Sequence, residues 1–373
     1  MTQLRHGRHP QTRSSILPPR PDRKTWVSSG IAALFTTLLP CAARAQDQLP
    51  ISHGLSYLTA FGPKNYSVVT LLYAVIIISL VVMTIVGVLV LFGSLLRGAR
   101  PVDGNIASVP IERSGSGLLF IYIGAAVSFV VLLAVAVWNY VVLAAIAAPP
   151  ANAAATIHVT GHQWWWEVQY ESSEPSRTFT TANEIHIPVG KPVKVELSTA
   201  DVIHSFWVPA LSGKMDTIPG QHNVTWLQAD KPGVYRGQCT EYCGQQHAHM
   251  GLLVIADPPD RFDAWWQNEL EGPDQVHVNV PAADAREGQT VFMRHCAACH
   301  AVRGTMAMGK VGPDLSHLME RRSLAAGAVP NTVGALSGWI SDPQRIKPGN
   351  YMPTLTLSAA ELSKLRDFLR TLR

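Results

Sequence analysis

Two short stretches hold most of the residues able to bind metal. In Gln238-Cys-Thr-Glu-Tyr-Cys-Gly-Gln-Gln-His-Ala-His-Met250, the side chains Cys239, Cys243, His247 and Met250 share one loop, and His204 stands upstream in Asp201-Val-Ile-His-Ser-Phe-Trp-Val-Pro209. Two thiolates, two imidazoles and a thioether are soft donors suited to copper. A single blue copper needs one cysteine, so two cysteines argue for a pair of copper ions bridged by both sulfurs. Sharing the charge between two ions spreads the geometric change on reduction and suits rapid electron transfer. A zinc site of two cysteines and two histidines is the alternative, and it leaves Met250 without a role. The second stretch, Cys296-Ala-Ala-Cys-His300, has the spacing for covalent c-type haem attachment. Its thiols can add to the haem vinyl groups while His300 serves as the proximal iron ligand. A redox dithiol is the alternative for two cysteines so spaced. Met352, in Tyr351-Met352-Pro353, is the expected sixth ligand, with Met306 and Met308 as competitors. Met/His ligation raises the haem potential.

These sites need scaffolds. The runs Thr156 to Tyr170, Glu184 to Pro188, Val193 to Leu197, Val202 to Val208, Val224 to Gln228, Val234 to Gln238 and Leu252 to Ile255 are β-rich, with Pro-Gly turns at 219–220 and 232–233. They predict a sandwich or barrel over residues 150–272. The run Trp164-Trp165-Trp166 alternates faces of a strand, so at least one ring should point outward, as a partner site or as ordinary packing. After a linker at 273–282, residues 283–373 read as helical, around Ala285 to His295, Leu336 to Ser341 and Ser358 to Leu372. Ser358 with Glu361 forms a capping-box start for the last helix. His158, His162 and His186 fall in strands and read as framework residues, while His249 lies off the spacing of the metal donors.

Of 373 residues, 47% are apolar and only 15% charged, which points to a protein partly in lipid and argues against a wholly cytosolic one. No charge occurs between Lys64 and Arg97, and two spans are expected at about 68–96 and 117–148 within a hairpin at 46–149. Trp138 and Tyr140 suit a membrane interface, and Arg97, Arg100 and Arg113 place the connecting loop in the cytoplasm. Residues 1–45 read as an export signal, with a basic stretch, an apolar run and Ala43-Arg44-Ala45 before Gln46. A lipoprotein anchor at Cys41 and an uncleaved first anchor are the competing readings. Net charge is +6 over residues 1–45, +1 over 46–149, −7 over 150–272 and +4 over 273–373. The overall +4 therefore reflects the leader and gives no support to nucleic-acid binding. The opposite signs of the last two segments favour docking of one on the other, with Glu167, Glu171 and Glu174 the first acids to examine.

The ordered set of two membrane helices, Gly161-His-Gln-Trp-Trp-Trp166, the His204 segment, Lys214-Met-Asp-Thr-Ile-Pro-Gly220 and the cysteine loop resembles cytochrome c oxidase subunit II over roughly residues 50–272. Residues 283–373, including Gly312-Pro-Asp-Leu315, look like a fused class I cytochrome c, as in the caa type. The resemblance implies a two-helix transmembrane hairpin, a cupredoxin-like Greek-key β-barrel and an all-α cytochrome c. It further implies a binuclear copper A site held by His204, Cys239, Cys243, His247, Met250 and the backbone carbonyl of Glu241. It implies that the Glu241 carboxylate faces a magnesium ion at the boundary with subunit I, and that electrons enter at Trp164.

The expected function is electron input to a haem-copper oxidase, from cytochrome c or another donor through haem c and copper A. The oxygen-reducing site and proton pumping would lie in subunit I, with subunit III as a further partner, in a bacterial inner membrane with both metal domains on the periplasmic side. Nothing in the chain itself resembles an oxygen-reducing site. Glu112 is a candidate for a proton entrance or an ordinary interfacial charge. Ser114-Gly-Ser-Gly117 replaces the family's Trp- and Pro-bearing helix start, and Gln221 stands where many members carry an arginine. A nitric oxide reductase-type partner remains open. Cys239 and Cys243 argue against a metal-free subunit of quinol oxidase type, and the two spans argue against a soluble nitrous oxide reductase.

Overall fold

The first apolar segment becomes a helix at Pro63, a residue whose fixed φ and missing N–H suit a first helical turn. In this computed structural model, residues 51–96, 117–273 and 280–373 are described. The expectations for the leader, Cys41, the arginines of the connecting loop and Glu112 lie outside them. Helices α1 (Pro63–Leu96) and α2 (Gly117–Ala147) pair with each other. They leave apolar side chains such as Leu89, at 65%, and Phe120, at 75%, uncovered on all faces. A helix apolar all round and open all round has lipid as its solvent. α1 starts ahead of the expected span because its first turn docks on the next domain. The Asn65 amide donates to the Pro209 carbonyl at 2.6 Å, and Lys64 bonds the Thr225 hydroxyl. At the end of α2, where helix carbonyls lack internal partners, the Trp226 indole donates to the Ile146 carbonyl at 3.0 Å.

The domain above the hairpin is a two-sheet sandwich. One sheet takes the order β1 (Ile51–His53), β10 (Gly233–Gln238), β11 (Gly251–Asp257) and β5 (Glu184–Pro188). The other takes β4 (Phe179–Ala182), β3 (Trp165–Glu171), β2 (Ala155–His162), β6 (Val193–Thr199) and β9 (Asn223–Leu227). A small pair, β7 (His204–Phe206) and β8 (Met215–Thr217), lies outside both. The run expected as one strand over Thr156 to Tyr170 is in fact the antiparallel pair β2 and β3, broken by a turn at Gln163 and Trp164. Trp166, Tyr170, Phe206 and Leu197 are fully buried between the sheets.

An amphipathic helix not expected from the sequence, α3 (Pro259–Leu270), covers one end of the sandwich, its Trp265 and Trp266 packed on Tyr170 and Phe179 at 5.1–5.6 Å. The final segment holds α4 (Ala282–His295), α5 (Val333–Ser341), α6 (Pro343–Ile346) and α7 (Ala359–Leu369). The α4 and α7 helices cross where Phe292 meets Phe368, with ring centroids 5.4 Å apart. The Ser358–Glu361 capping box is formed. A two-residue pair, β12 (Ser323–Leu324) with β13 (Val329–Pro330), is the departure from a purely helical domain. The described residues all fall in one compact unit.

Candidate metal and haem sites

The loop between β10 and β11 returns the chain onto β7, and that geometry gathers the sulfur and imidazole donors. The Cys239 and Cys243 sulfurs lie 3.8 Å apart, far beyond the roughly 2.05 Å of a disulfide. His204 Nδ1 is 4.0 Å from the Cys239 sulfur, His247 Nδ1 is 3.6 Å from that of Cys243, and the Met250 sulfur is 3.8 Å from Cys243. The Glu241 carbonyl comes within 3.3 Å of the Cys239 sulfur, and its exposed carboxylate lies 3.9 Å from Lys214. His204, Cys239 and Cys243 are buried with their donor atoms within 4.8 Å of one another, so these three can hold a metal. The donor set fits soft ions bridged by sulfur.

Electrostatics prepare the thiols unequally. Cys239 is pushed well down, first by the contact with Cys243 and then by His204 and backbone amides against the cost of burial, while Cys243 keeps its proton and is pushed up. Burial disfavours the charged form of His204, but its bonds to Asp201 and Cys239 outweigh that and raise it. Asp201 holds His204 Nε2 at 2.8 Å, which turns Nδ1 toward the sulfurs. The ring slides close to β2, where any Cβ at Gly161 would sit 2.7 Å from it.

The second site is a cavity lined by Cys296, Cys299, His300 and Met352, with Trp339 and Leu365 among its walls. His300 Nδ1–H donates to the Pro313 carbonyl at 2.8 Å, leaving Nε2 free to face the cavity. A Cβ at Gly312 would come within 2.6 Å of the imidazole, so the ring stacks directly on bare backbone. Burial pushes Cys296 up to about 11 and lowers His300, keeping the imidazole neutral as an iron ligand requires. Met306 and Met308, 84% and 77% exposed, stay outside the cavity that Met352 lines. The residues present fit a covalently held haem.

The other histidines have framework partners. His158 pairs with Glu171 and Glu196, His186 with Asp257 at 2.6 Å, His249 with Gln246, and His162 stacks on Trp165 at 4.4 Å. Trp165 is thus the half-open ring of the aromatic run. Trp164, expected as the point of electron entry, is only 7% exposed and lies against Tyr351 of the haem segment.

The two sites face each other across an interface that sequence reasoning did not anticipate in detail. Lys347 Nζ donates to the Trp164 carbonyl at 2.6 Å and to the Ala325 carbonyl at 3.0 Å. Tyr351 donates to Gln163 Oε1 at 2.7 Å, and its ring lies at 17° to Trp164 with centroids 6.2 Å apart. Gln246 donates to the Pro348 carbonyl at 2.6 Å, and the Arg322 amide to buried Glu184 at 2.7 Å. Of the acids singled out for this contact, Glu167 feels Lys310 of the haem segment, Glu171 is engaged by His158, and Glu174 is exposed without an ion pair among the described residues.

Residues 172–256 match the family described as cytochrome c oxidase subunit II, periplasmic domain, and residues 285–373 match cytochrome c. The chain is 42% identical over 222 residues to the cytochrome c oxidase subunit 2 of Alkalihalophilus pseudofirmus, covering 58% of this chain and 61% of that protein. It is 33% identical over 228 residues to the subunit 2 of Bacillus sp. strain PS3, covering 58% and 62%. It therefore spans under two thirds of the length of these curated relatives. The crystal structure of the periplasmic domain of subunit II of cytochrome oxidase from Bradyrhizobium japonicum is 35% identical, with 31% of this chain and 94% of that chain covered and a TM-score of 0.30. The two matched segments follow in this order, the subunit II periplasmic domain and then cytochrome c, and each holds its own convergent donor set.

Proposed function

We propose that this chain is the electron-input subunit of a haem-copper terminal oxidase, anchored in a bacterial inner membrane with both metal domains on the periplasmic side. His204, Cys239, Cys243, His247, Met250 and the Glu241 carbonyl would hold binuclear copper A, and Cys296, Cys299, His300 and Met352 would hold haem c. Bound there, each group supplies a one-electron carrier. The polypeptide fixes their ligands, excludes water from the thiolates and sets the contact between the two domains. Donors are cytochrome c or another periplasmic protein, and the acceptor is the oxygen-reducing, proton-pumping subunit I, with subunit III as a further partner. The Glu241 carboxylate is the proposed magnesium contact at the subunit I boundary. The observation that carries this reading is the buried convergence of His204, Cys239 and Cys243 beside a haem-type cavity whose wall includes Trp164.

Metal and haem analysis of the membrane complex tests it. Cys243→Ser should abolish near-infrared copper absorption and leave haem attached, whereas Met352→Ala should alter the haem spectrum and potential and leave copper in place. Copper missing from the intact wild type, or an unaltered haem in Met352→Ala, would overturn the corresponding assignment. Nitric oxide consumption without oxygen consumption would favour the nitric oxide reductase-type alternative.

A further inference from the structure

We propose that the Lys347–Met352 loop couples the two redox sites, with Tyr351 forming the aromatic bridge onto Trp164 and Lys347 holding that bridge closed. This rests on the electron-input reading above. Met352 lines the haem cavity and is covalently next to Tyr351, whose ring faces Trp164 at 6.2 Å between centroids. The Trp164 indole N–H in turn donates to the Cys243 carbonyl at 2.9 Å. From the haem side to the copper side, the connection is therefore covalent bonds, one ring contact and one hydrogen bond. Along this route the ring contact is the one step without a bond. A second route runs from the Tyr351 hydroxyl through Gln163, whose Nε2 donates to the same Cys243 carbonyl at 2.7 Å, and both routes depend on how the loop is seated on the copper domain.

Lys347 is placed to fix it. Its side chain is buried, at 3% exposure, and its amine reaches one carbonyl in each domain, Trp164 in the copper domain and Ala325 in the haem domain. A buried amine is costly unless its donors are satisfied, and these two bonds to carbonyls exist together only when the domains are closed. With haem c held by Cys296, Cys299, His300 and Met352 and the copper pair held by the Cys239–Cys243 loop, the step would move one electron, the haem site being oxidised and the copper pair as a unit reduced by one. No proton moves, and Tyr351 keeps its O–H on Gln163.

Single-turnover kinetics in the intact, fully metallated complex test the proposal, with photochemical reduction of haem followed optically at haem and copper. Tyr351→Leu and Lys347→Met should slow the haem-to-copper step about tenfold or more, as small losses of geometry do. Tyr351→Phe, which keeps the ring, should stay near wild type. The haem midpoint potential and the copper electron paramagnetic resonance should be unchanged in all three. Independently of any variant, Lys347 in the wild-type complex should resist acylation, read by mass spectrometry, under conditions that label exposed Lys214. Wild-type rates in both Tyr351→Leu and Lys347→Met would overturn the proposal alone, as would labelling of Lys347 as fast as Lys214. A wild type that passes no electrons from haem to copper would overturn the underlying reading with it.

Discussion

Asp201 decides which nitrogen of His204 faces the sulfurs. Its carboxylate takes Nε2 and also accepts the Gln163 and Val202 amides at 2.7 and 2.6 Å, so the imidazole cannot turn without breaking a small network. Asp201→Asn should weaken copper retention about 10- to 100-fold, as loss of such outer-shell partners does, measured by copper content across a chelator series. The convergence of His204, Cys239 and Cys243 was legible in the sequence because thiol and imidazole types at short spacing have few other uses. Asp201 was not, since an acid three residues before a histidine reads as an ordinary turn. Lys347 was equally hidden: a lysine before Pro348-Gly349 reads as a surface charge, and only the fold brings it to Trp164, 183 residues away.

At the level of elements, the β10–β11 hairpin and the two membrane helices followed from hydrophobic pattern, whereas α3 was missed because its apolar residues are few and interrupted by acids. One of those acids carries a pH dependence. Glu269 is 7% exposed, and burial pushes its carboxyl up to about 8, with Glu320 and Asp314 reinforcing and Arg321 and Arg303 opposing. In the unfolded chain an ordinary glutamate releases its proton near pH ~4.3. Between that pH and about 8 the folded chain therefore holds a proton that the unfolded chain has lost, so stability is full at low pH and falls as pH rises through this window. The total loss should be about a few kcal/mol at most. Glu269→Gln, neutral at every pH, should flatten the profile, as denaturant midpoints measured across the window would show.

For the whole molecule, opposite domain charges led to an expectation of docking, but the contacts that form are mainly hydrogen bonds to backbone and one ring pair. Charge counts carry no information about which carbonyls meet which amides, so this part of the structure was not readable from sequence. Buried contacts of this kind are screened little by salt, whereas encounter with an outside donor depends on exposed charge. The internal handover should therefore keep its rate from low to high ionic strength while reduction by an added soluble cytochrome c slows, a contrast that flash and stopped-flow kinetics on one preparation can measure. In the proposed electron-input role, Tyr351 already seated on Trp164 would also change the reaction order. A carrier that diffuses to its acceptor delivers electrons at a speed set by how much of it is present, but a carrier borne on the acceptor's own chain delivers them at a speed with no concentration in it. Scarcity of donor can then delay the filling of the haem domain, yet never the discharge that follows.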